Sequence, residues 1–299
     1  MKRIWLFLRR ISFIKDCSMN ILVTGATGQL AKSIESITNV DSCFTFVGRD
    51  DFHITDKNEV DDYFASHDID VVINCAAYTK VDLAEDEQEQ AYDVNVNAVR
   101  YLAEAAESKE AEFYHVSTDF VFDGDLSVLY NELDKTNPLS VYGKTKLEGE
   151  NVALQACSRT QIIRTSWLYS LYGNNFVKTI IRLATDRDKL TIVADQIGSP
   201  TNAENLARAI LNMVFSEKKH FGEVYHYSDA GECSWYEFAK EIVELSDIEC
   251  EVLPIPSVEY PQRAIRPKYS VMDKSKIVRD YGAEIIDWRE SLRQVIKSL

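Results

Sequence analysis

The chain has 299 residues, of which 45% are hydrophobic and only 11 are glycine and 6 proline, so it is an ordered globular protein with a sizeable core rather than a disordered or fibrous chain. Its 48 acidic residues outnumber 33 basic ones, and the formal net charge of −15 makes nucleic acid an unexpected partner because phosphate backbones are repelled. No apolar run approaches the roughly 20 residues that span a bilayer, so we expect no membrane-spanning segment.

Residues 1–18 differ from the rest of the chain in charge, with five Lys or Arg against one Asp. Their apolar run, residues 4–8, ends at Arg9 and Arg10 and is shorter than the roughly 7–15 residues of a signal peptide, and no Ala-x-Ala cleavage site follows. Met19 stands directly before a strand-like run. We therefore expect a basic extension outside the fold, with a helix on a membrane surface as the alternative.

From Met19 the chain alternates short β-branched runs with longer helical stretches. Apolar strands that alternate with helices predict a parallel sheet with right-handed crossovers, which is a Rossmann-like doubly wound α/β fold. A ligand of such a sheet binds beyond the carboxyl ends of the strands, where the strand order reverses. The predicted strands span residues 21–23, 44–47, 71–73, 113–116 and 161–164, and the predicted helices span 29–38, 57–67, 87–108 and a stretch from about 142.

The regular alternation ends near residue 165, and prolines punctuate shorter elements beyond it. We therefore predict three parts of the chain. These are the extension over residues 1–18, an NAD(P)-binding domain over residues 19–165, and a smaller, mainly substrate-binding region over residues 166–299 that returns some segments to the sheet.

A glycine-rich turn follows the first predicted strand and leads directly into a helix, with the pattern Gly-x-x-Gly-x-x-Ala. Gly25 permits a tight turn, and Gly28 lets a pyrophosphate approach the helix N-terminus, where free N–H groups favour anions. Ala31 is small enough for the helix to pack on the strand. The pattern predicts a dinucleotide site, and a plain structural turn is the alternative.

The next two predicted strands end in residues that suit the same ligand. Arg49 follows the second strand and favours NADPH through its 2′-phosphate, while Asp50 keeps NADH open as an alternative. Arg49 is equally compatible with an exposed loop cation. Ala76 and Ala77 follow the third strand, where small side chains leave space for the ribose and nicotinamide, or else for close helix packing.

The candidate catalytic group combines a strand end with a helix face. The fourth strand ends at Thr118 and Asp119, and Tyr142 and Lys146 lie four residues apart, on one face of a helix. A free tyrosine titrates near pH 10, so it needs a neighbouring ammonium to lower its pKa before it can exchange protons. We expect Lys146 to supply that charge and Thr118 to bind the same substrate oxygen.

A second Tyr-x-x-x-Lys pair, Tyr236 with Lys240, shows that the spacing alone is not specific. It follows Ser234, a plausible N-cap, and accompanies apolar residues at helical spacing. We therefore interpret the second pair as part of a helix with a core face and a surface face, and the first pair as catalytic.

Cysteines and histidines give no metal pattern. The five histidines show no His-Glu-x-x-His spacing, and no two cysteines form a Cys-x-x-Cys pair. Scattered cysteines of this kind are typical of reduced thiols in the cytoplasm, and no metal site is predicted. The cysteines are Cys17, Cys43, Cys75, Cys157, Cys233 and Cys250.

From Met19 to the C-terminus the chain resembles the extended short-chain dehydrogenase/reductase family, and within it the reductases of dTDP-4-dehydrorhamnose. The resemblance rests on long segments that occur in the family's order. These segments are MNILVTGATGQLA, NCAAYTKVDLAE, STDFVFDG, NPLSVYGKTKLEGE, IIRTSWLY, DQIGSPT, CSWYEFA and RPKYSVMD.

The resemblance implies hydride transfer from NADPH or NADH to the C4 carbonyl of dTDP-4-dehydro-L-rhamnose, giving dTDP-L-rhamnose for polysaccharide synthesis. It implies a dTDP-sugar as the substrate and a cytoplasmic enzyme, and it allows a homodimer. Some members bind magnesium, but no residue of this chain can be matched to those ligands, so magnesium is left unplaced.

The resemblance also implies roles for individual residues. Tyr142 would donate the proton, Lys146 would be its partner, and Thr118 would position the oxygen. Asp119 and Trp167 would contact the sugar, although a tryptophan just after a strand is also compatible with the core. The residues that would line the cofactor, besides Gly25, Arg49, Tyr142 and Lys146, are Gly28, Gln29, Leu30, His53, Ile54, Ala77, Tyr78 and Thr79.

One departure separates this chain from the dehydratases of the same family. Those enzymes carry Thr-Asp-Glu, and here Phe120 stands in the third place, so it cannot act as a base for water elimination. Two alternatives stay open: a non-catalytic NADP-binding regulatory subunit, and a 4-ketoreductase for a sister sugar such as a 6-deoxytalose precursor. Further candidates for binding the sugar nucleotide are Gln196, Ser199, Thr201, Arg266 and Lys268.

Overall fold

The computed structural model describes residues 19–38, 43–125 and 127–299, so the predicted extension over residues 1–18 lies outside the described residues. The first half of the chain alternates strands and helices. Its elements are β1 (Ile21–Thr24), α1 (Gln29–Ile37), β2 (Phe44–Val47), α2 (Lys57–Ser66), β3 (Val71–Asn74), α3 (Gln88–Tyr92), α4 (Ala98–Ser108), β4 (Glu112–Thr118), α5 (Val141–Ala156) and β5 (Thr160–Thr165).

The second half has shorter strands. Its elements are β6 (Leu168–Tyr169), α6 (Phe176–Thr185), β7 (Lys189–Val193), β8 (Ile197–Gly198), β9 (Thr201–Asn202), α7 (Ala203–Val214), β10 (Glu223–His226), β11 (Cys233–Ser234), α8 (Trp235–Leu245), β12 (Glu251–Ile255), α9 (Ser275–Tyr281) and α10 (Trp288–Ile296). Among the described residues, no helix is long and apolar enough to cross a membrane.

A six-stranded parallel sheet forms the centre of the molecule, in the order β10-β5-β4-β3-β1-β2. Strands β2 and β3 pair with opposite edges of β1, so the strand order reverses there and a crevice opens at the carboxyl ends of β1 and β3. The predicted fold class, a Rossmann-like doubly wound parallel sheet, is confirmed. Strand β10 comes from the second half of the chain and forms one edge.

The sheet is covered by helices on both faces because successive strand side chains point to opposite sides. In β1, Ile21 and Val23 pack with α1, α7 and α9 in one apolar cluster. Leu22 packs with α2, α4 and α5 in a second cluster on the other face. Strands buried on both faces read as continuous apolar runs, which is why the sequence pattern identified them.

The second half of the chain builds a third apolar cluster, beside the sheet. Helices α6, α8 and α10 contribute to it, and Phe238 packs edge-on against the buried Trp288, with 5.6 Å between the ring centroids. Three two-stranded pairs complete this region: β7 with β12, β8 with β11, and β6 with β9.

The helix predicted over residues 87–108 is interrupted. Between α3 and α4 the chain makes one wide π-helical turn, Asp93–Asn97. A π turn shifts the register of the helix and turns side chains inward that would otherwise face elsewhere. Asn95 is fully buried as a result, and it contacts the loop that follows β3.

Leu102→Ala should lower the free energy of unfolding by about 2–5 kcal/mol, because Leu102 is fully buried in the second cluster and its removal leaves a cavity. Leu133→Ala is the matched control, since Leu133 is 93% exposed and should change that free energy by less than about 0.5 kcal/mol. Denaturant unfolding measures both. Equal effects in the two variants would contradict the assigned core.

Candidate active site

The glycine turn is shaped by close contact with the end of β3. Gly25 has φ +73°, and a Cβ there would lie 2.9 Å from the backbone nitrogen of Ala76. The N–H of Gly28 donates to the carbonyl of Gly25 at 2.8 Å, and no side chain of the described chain caps α1. The first N–H groups of α1 are therefore available to an anion, in a concavity that a Cβ would fill.

The two residues after Gly28 point away from that concavity. The Leu30 side chain is buried in the first cluster, and only its backbone faces the turn. The Gln29 amide oxygen accepts hydrogen bonds from Ser170 and Asn175, both at 3.0 Å. Gln29 therefore joins the start of α1 to the region between β6 and α6.

The end of β2 lies beside the same turn, because the N–H of Ala26 donates to the carbonyl of Val47 at 3.0 Å. Arg49 is exposed at this edge, where a ribose 2′-substituent of a bound dinucleotide is expected. His53 is also exposed, and its Nδ1 lies 3.0 Å from Glu59. Ile54 packs partly against the second cluster.

The loop after β3 is held in place by the π turn. The Asn95 side chain accepts a hydrogen bond from the N–H of Tyr78 at 2.9 Å and donates to the carbonyl of the same residue at 3.2 Å. Its amide also donates to Thr145 on α5 at 3.1 Å. Ala77 is half-buried and Thr79 is exposed in this loop, beside the glycine turn. The sequence pattern missed Asn95, since nothing in it marks a π turn.

Helix α5 begins in direct contact with the end of β4. Ser140 caps the helix by accepting the N–H of Gly143 at 3.1 Å, and a Cβ on Gly143 would clash with the carbonyl oxygen of Phe120. Gly149, further along α5, approaches the carbonyl of Asn95 equally closely. The two glycines let α5 lie against β4 and the π turn.

This approach brings Tyr142 to Thr118 at the end of β4. The Tyr142 ring meets Phe120 edge-on, with 5.5 Å between the centroids. Burial raises the pKa of the Tyr142 phenol to about 12, although the neighbouring Thr118 hydroxyl acts to lower it. The expectation that Lys146 lowers this pKa is wrong, because burial sets the direction of the shift and Lys146 is not among its causes.

Lys146 lies one helical turn beyond Tyr142 and is almost fully buried. Its Nζ donates to the carbonyl of Val116 at 2.7 Å and lies 3.3 Å from Nε2 of His115. Burial lowers the pKa of the amine to about 8, and Glu150 opposes that shift. The structure thus brings Thr118, Tyr142 and Lys146 together at the carboxyl end of β4.

Asp119 faces the interior. One of its carboxylate oxygens accepts a hydrogen bond from Ser270 at 2.6 Å, and the other accepts one from Thr118 at 3.1 Å. Burial raises the pKa of Asp119 to about 6. Both oxygens have protein partners, so a direct contact between Asp119 and a sugar stays a prediction.

Trp167 follows β5 with φ +46°, a conformation that is strained for a bulky residue and that concentrates at functional sites. It is half-buried and stacks on Trp235, with 3.5 Å between the ring centroids. Gly198 lies directly against the indole, with no room for a Cβ. Trp167 therefore belongs to an aromatic cluster beside the crevice.

Three of the candidates for binding the sugar nucleotide are buried polar groups. Gln196 is 4% exposed. The Ser199 hydroxyl donates to the carbonyl of Gly231 at 2.7 Å, which is a contact within the fold. Thr201 is fully buried, and its hydroxyl has no partner within the described residues.

Of the two cationic candidates, Arg266 lies beside the loop that follows β3. Arg266 makes a two-point ion pair with Asp82, at 3.0 Å and 2.5 Å, and donates to Gln262 at 3.0 Å. Arg266 lowers the pKa of Asp82. Lys268 is exposed. Arg266 thus attaches its own segment to the loop that follows β3. Its charge is already neutralised by the carboxylate of Asp82.

A buried ion pair that the sequence pattern missed supports α5 from behind. Arg164 on β5 donates to both oxygens of Glu150 at 2.9 Å and 2.7 Å, and Ser117 donates to the same carboxylate at 2.5 Å. Burying such charges is costly unless they are paired and hydrogen-bonded, and here they are. The pair locks α5 to β4 and β5.

The second Tyr-x-x-x-Lys pair lies on α8, as the pattern predicted. Ser234 and Glu237 form a capping box at the start of that helix, and Phe238 is buried in the third cluster. Lys240 is exposed and lies 3.8 Å from Glu244. The pair has the core and surface roles expected of an ordinary helix.

Within the described part of the chain, no group of three or more His, Cys, Asp or Glu could hold a metal ion. Cys17 lies outside the described residues. Cys75, Cys157, Cys233 and Cys250 are free thiols.

The family model described as the RmlD substrate binding domain matches residues 19–299. A dTDP-4-dehydrorhamnose reductase from Aggregatibacter actinomycetemcomitans is 41% identical over 288 residues, which cover 92% of this chain and 97% of that protein. The crystal structure of a dTDP-4-dehydrorhamnose reductase from Bacillus anthracis in complex with NADP is 36% identical, with a TM-score of 0.89 over 94% of this chain and 99% of that one.

A relative with a different substrate is also similar to this chain. A protein from Streptomyces antibioticus, described as a probable dTDP-4,6-dihydroxy-2-methyloxan-3-one 4-ketoreductase, is 34% identical over 94% of this chain and 96% of its own length. Similarity at this level therefore accompanies 4-ketoreductases of more than one sugar nucleotide.

Asp119→Asn should remove a pH-dependent loss of stability. Because the pKa of Asp119 is raised in the folded chain, the unfolded chain releases this proton first, and folding becomes less favourable as pH rises from about 4 through about 6. The free energy of unfolding of the variant, relative to the unaltered protein, should therefore increase by roughly 2–3 kcal/mol between pH 4 and pH 7. Denaturant unfolding at both pH values measures this.

Glu249→Gln is the control for Asp119→Asn, because Glu249 is an exposed carboxylate. It should leave the difference between the two pH values unchanged. A constant difference between Asp119→Asn and the unaltered protein over the same range would contradict the burial assigned to Asp119.

Proposed function

The chain belongs to the RmlD substrate binding domain family, and we propose that it reduces the C4 keto group of dTDP-4-dehydro-L-rhamnose to give dTDP-L-rhamnose, with NADPH or NADH as the reductant. The observation that carries the proposal is the meeting of Tyr142 with Thr118 at the end of β4, with the buried Lys146 one turn away. The product is a precursor for polysaccharide synthesis.

The glycine turn fits the pyrophosphate of such a cofactor. Gly25 and Gly28 leave the backbone accessible, and the uncapped start of α1 offers N–H groups to the phosphates. The loop of Ala77, Tyr78 and Thr79 would hold the nicotinamide side. When bound, the cofactor supplies a hydride to the C4 carbon.

Arg49 supports NADPH as the preferred reductant. Its guanidinium is exposed just after β2, at the edge of the glycine turn, and a guanidinium is well suited to a 2′-phosphate. His53 and Ile54 would lie by the adenine. NADH stays compatible, since Asp50 is exposed at the same edge.

Tyr142 supplies the proton to the carbonyl oxygen. With its pKa raised to about 12, the phenol is fully protonated at neutral pH and holds its proton until a more basic oxyanion forms beside it. An alkoxide is such a base. A buried phenol therefore suits reduction, in which the enzyme must donate a proton and not remove one.

Thr118 positions the oxygen that receives this proton. Its hydroxyl donates its single hydrogen to Asp119 at 3.1 Å and accepts the N–H of Phe120 at 3.3 Å. To stabilise the negative charge that develops on the substrate oxygen, this hydrogen would turn from Asp119 to that oxygen. Asp119 in turn accepts a hydrogen bond from Ser270, which holds its carboxylate beside Thr118.

Lys146 would bind the nicotinamide ribose as the partner of Tyr142. Its amine is buried at the end of β4 and fixed by the carbonyl of Val116. The protonated amine is the form suited to this role, because it keeps hydrogens to donate to the ribose hydroxyl groups besides the one given to Val116.

The sugar nucleotide would occupy the crevice between the sheet and the second half of the chain, with Trp167 beside the sugar.

Phe120 stands where a second carboxylate would be needed for water elimination, which supports simple reduction. Arg266 would be reached by the diphosphate only in competition with Asp82. The free thiols of Cys75, Cys157, Cys233 and Cys250 support a cytoplasmic reaction. The homodimer stays a prediction.

Tyr142→Phe should lower the rate of NADPH oxidation with the 4-keto sugar nucleotide by about 10²–10⁴-fold, because it removes the proton donor and nothing else. Cofactor affinity, followed by fluorescence titration, should stay close to that of the unaltered protein. Tyr236→Phe is the matched control, since it alters the other Tyr-x-x-x-Lys pair, and it should keep full activity. Full activity of Tyr142→Phe would contradict the proposed role.

The same assay separates the alternatives. A regulatory subunit of this fold would bind NADPH but oxidise none with any 4-keto sugar nucleotide. A sister reductase would give a product with the other configuration at C4, and proton NMR of the purified sugar nucleotide distinguishes the two.

A further inference from the structure

A continuous chain of buried side chains crosses three neighbouring strand ends and terminates at Lys146. Thr24 at the end of β1 donates to Asn74 at the end of β3, with 2.6 Å between the oxygens. The Asn74 amide nitrogen lies 3.0 Å from Nδ1 of His115 on β4. Nε2 of the same ring lies 3.3 Å from Nζ of Lys146. All four residues are 1% exposed or less.

The orientation of Asn74 is fixed by its neighbours. Its side-chain oxygen accepts hydrogen bonds from Thr24 and from the backbone N–H of Ala76, the latter at 3.2 Å. A backbone N–H can only donate, so the oxygen must face Ala76 and the amide nitrogen must face His115. Nδ1 of His115 therefore accepts a hydrogen bond.

This orientation selects the tautomer of His115. The ring is fully buried, and burial together with Lys146 holds its pKa well below the usual value, so the imidazole is neutral. A neutral imidazole whose Nδ1 accepts a hydrogen bond carries its proton on Nε2. That N–H points at the nitrogen of Lys146.

We propose that His115 is a positioning residue that sets the protonation state of Lys146. A neutral amine accepts a hydrogen bond from Nε2–H, whereas an ammonium group presents only donors to it. The imidazole therefore favours release of a proton from Lys146. The role in turnover rests on the proposed function, while the effect on Lys146 does not.

The other groups that face the amine do not substitute for His115. Cys75 follows β3, and burial raises the pKa of its thiol to about 12, so it stays neutral. Glu150 on α5 favours the protonated amine, but its carboxylate is bonded to Arg164 and Ser117. Tyr142 is neutral, and the Val116 carbonyl accepts from either form of the amine.

Two readouts test the inference without any sugar nucleotide. In protein with 15N-labelled histidine, the ring resonances of His115 should show the proton on Nε2 and a bare Nδ1, and a proton on Nδ1 would overturn the proposal. In protein with 13Cε-labelled lysine, the Lys146 resonance should titrate about one pH unit higher in His115→Phe than in the unaltered protein. An equal or lower midpoint would overturn the proposal.

Asn74→Asp provides a second variant that does not depend on the fold of His115→Phe. A carboxylate at this position can only accept a hydrogen bond, so the ring proton moves from Nε2 to Nδ1 and Nε2 becomes an acceptor, which should also raise the midpoint of Lys146. His226→Phe is the matched control, because His226 is equally buried but bonds to Tyr130 and lies near Arg164. It should leave the midpoint unchanged, and an equal shift there would point to a general loss of packing.

The same variants connect the inference to turnover. The high-pH fall of kcat/KM should move upward with the Lys146 midpoint in both His115→Phe and Asn74→Asp. A moved midpoint without any turnover in the unaltered protein would leave the effect on Lys146 intact and refute the proposed function. If the variants are active and kcat/KM still falls at the same high pH as in the unaltered protein, the link between His115 and the reaction is refuted.

Discussion

The close contact between α5 and the end of β4 is the constraint on which the rest of the site depends. Gly143 lies against the carbonyl of Phe120 with no space for a side chain, and this brings Tyr142 to Thr118 at the end of β4. The ion pair of Glu150 and Arg164 attaches the same helix to β5. Catalytic groups need to be held within a fraction of an ångström, and here packed backbone holds them.

Burial then decides the protonation of each group. It raises the pKa of Tyr142 to about 12 and lowers that of Lys146 to about 8, so the two values move apart, without the direct charge effect that the helical spacing suggested. A phenol that stays protonated suits a proton donor. An amine with a pKa of about 8 is sensitive to its neighbours, and the His115 ring lies 3.3 Å from it.

Much of the fold followed from the sequence because parallel strands buried on both faces read as uninterrupted apolar runs, and β1 to β5 lie where those runs were. Thr118, Tyr142 and Lys146 could be grouped since a strand end and an i, i+4 helix pair each have a sequence signature. Asn95 and His115 could not be found, because a π turn and a tautomer depend on contacts between residues far apart in the chain. The ion pair between Asp82 and Arg266 could not be found for the same reason.

The most direct test of the central claim is the transfer of hydrogen to the C4 carbon. The protein would be incubated with dTDP-4-dehydro-L-rhamnose and NADPH that carries deuterium at the transferable position, and the sugar nucleotide would be analysed by NMR. The account predicts dTDP-L-rhamnose with deuterium at C4 and a C4 hydroxyl whose proton comes from solvent through Tyr142. A sugar nucleotide recovered unreduced, or reduced without deuterium at C4, would contradict it.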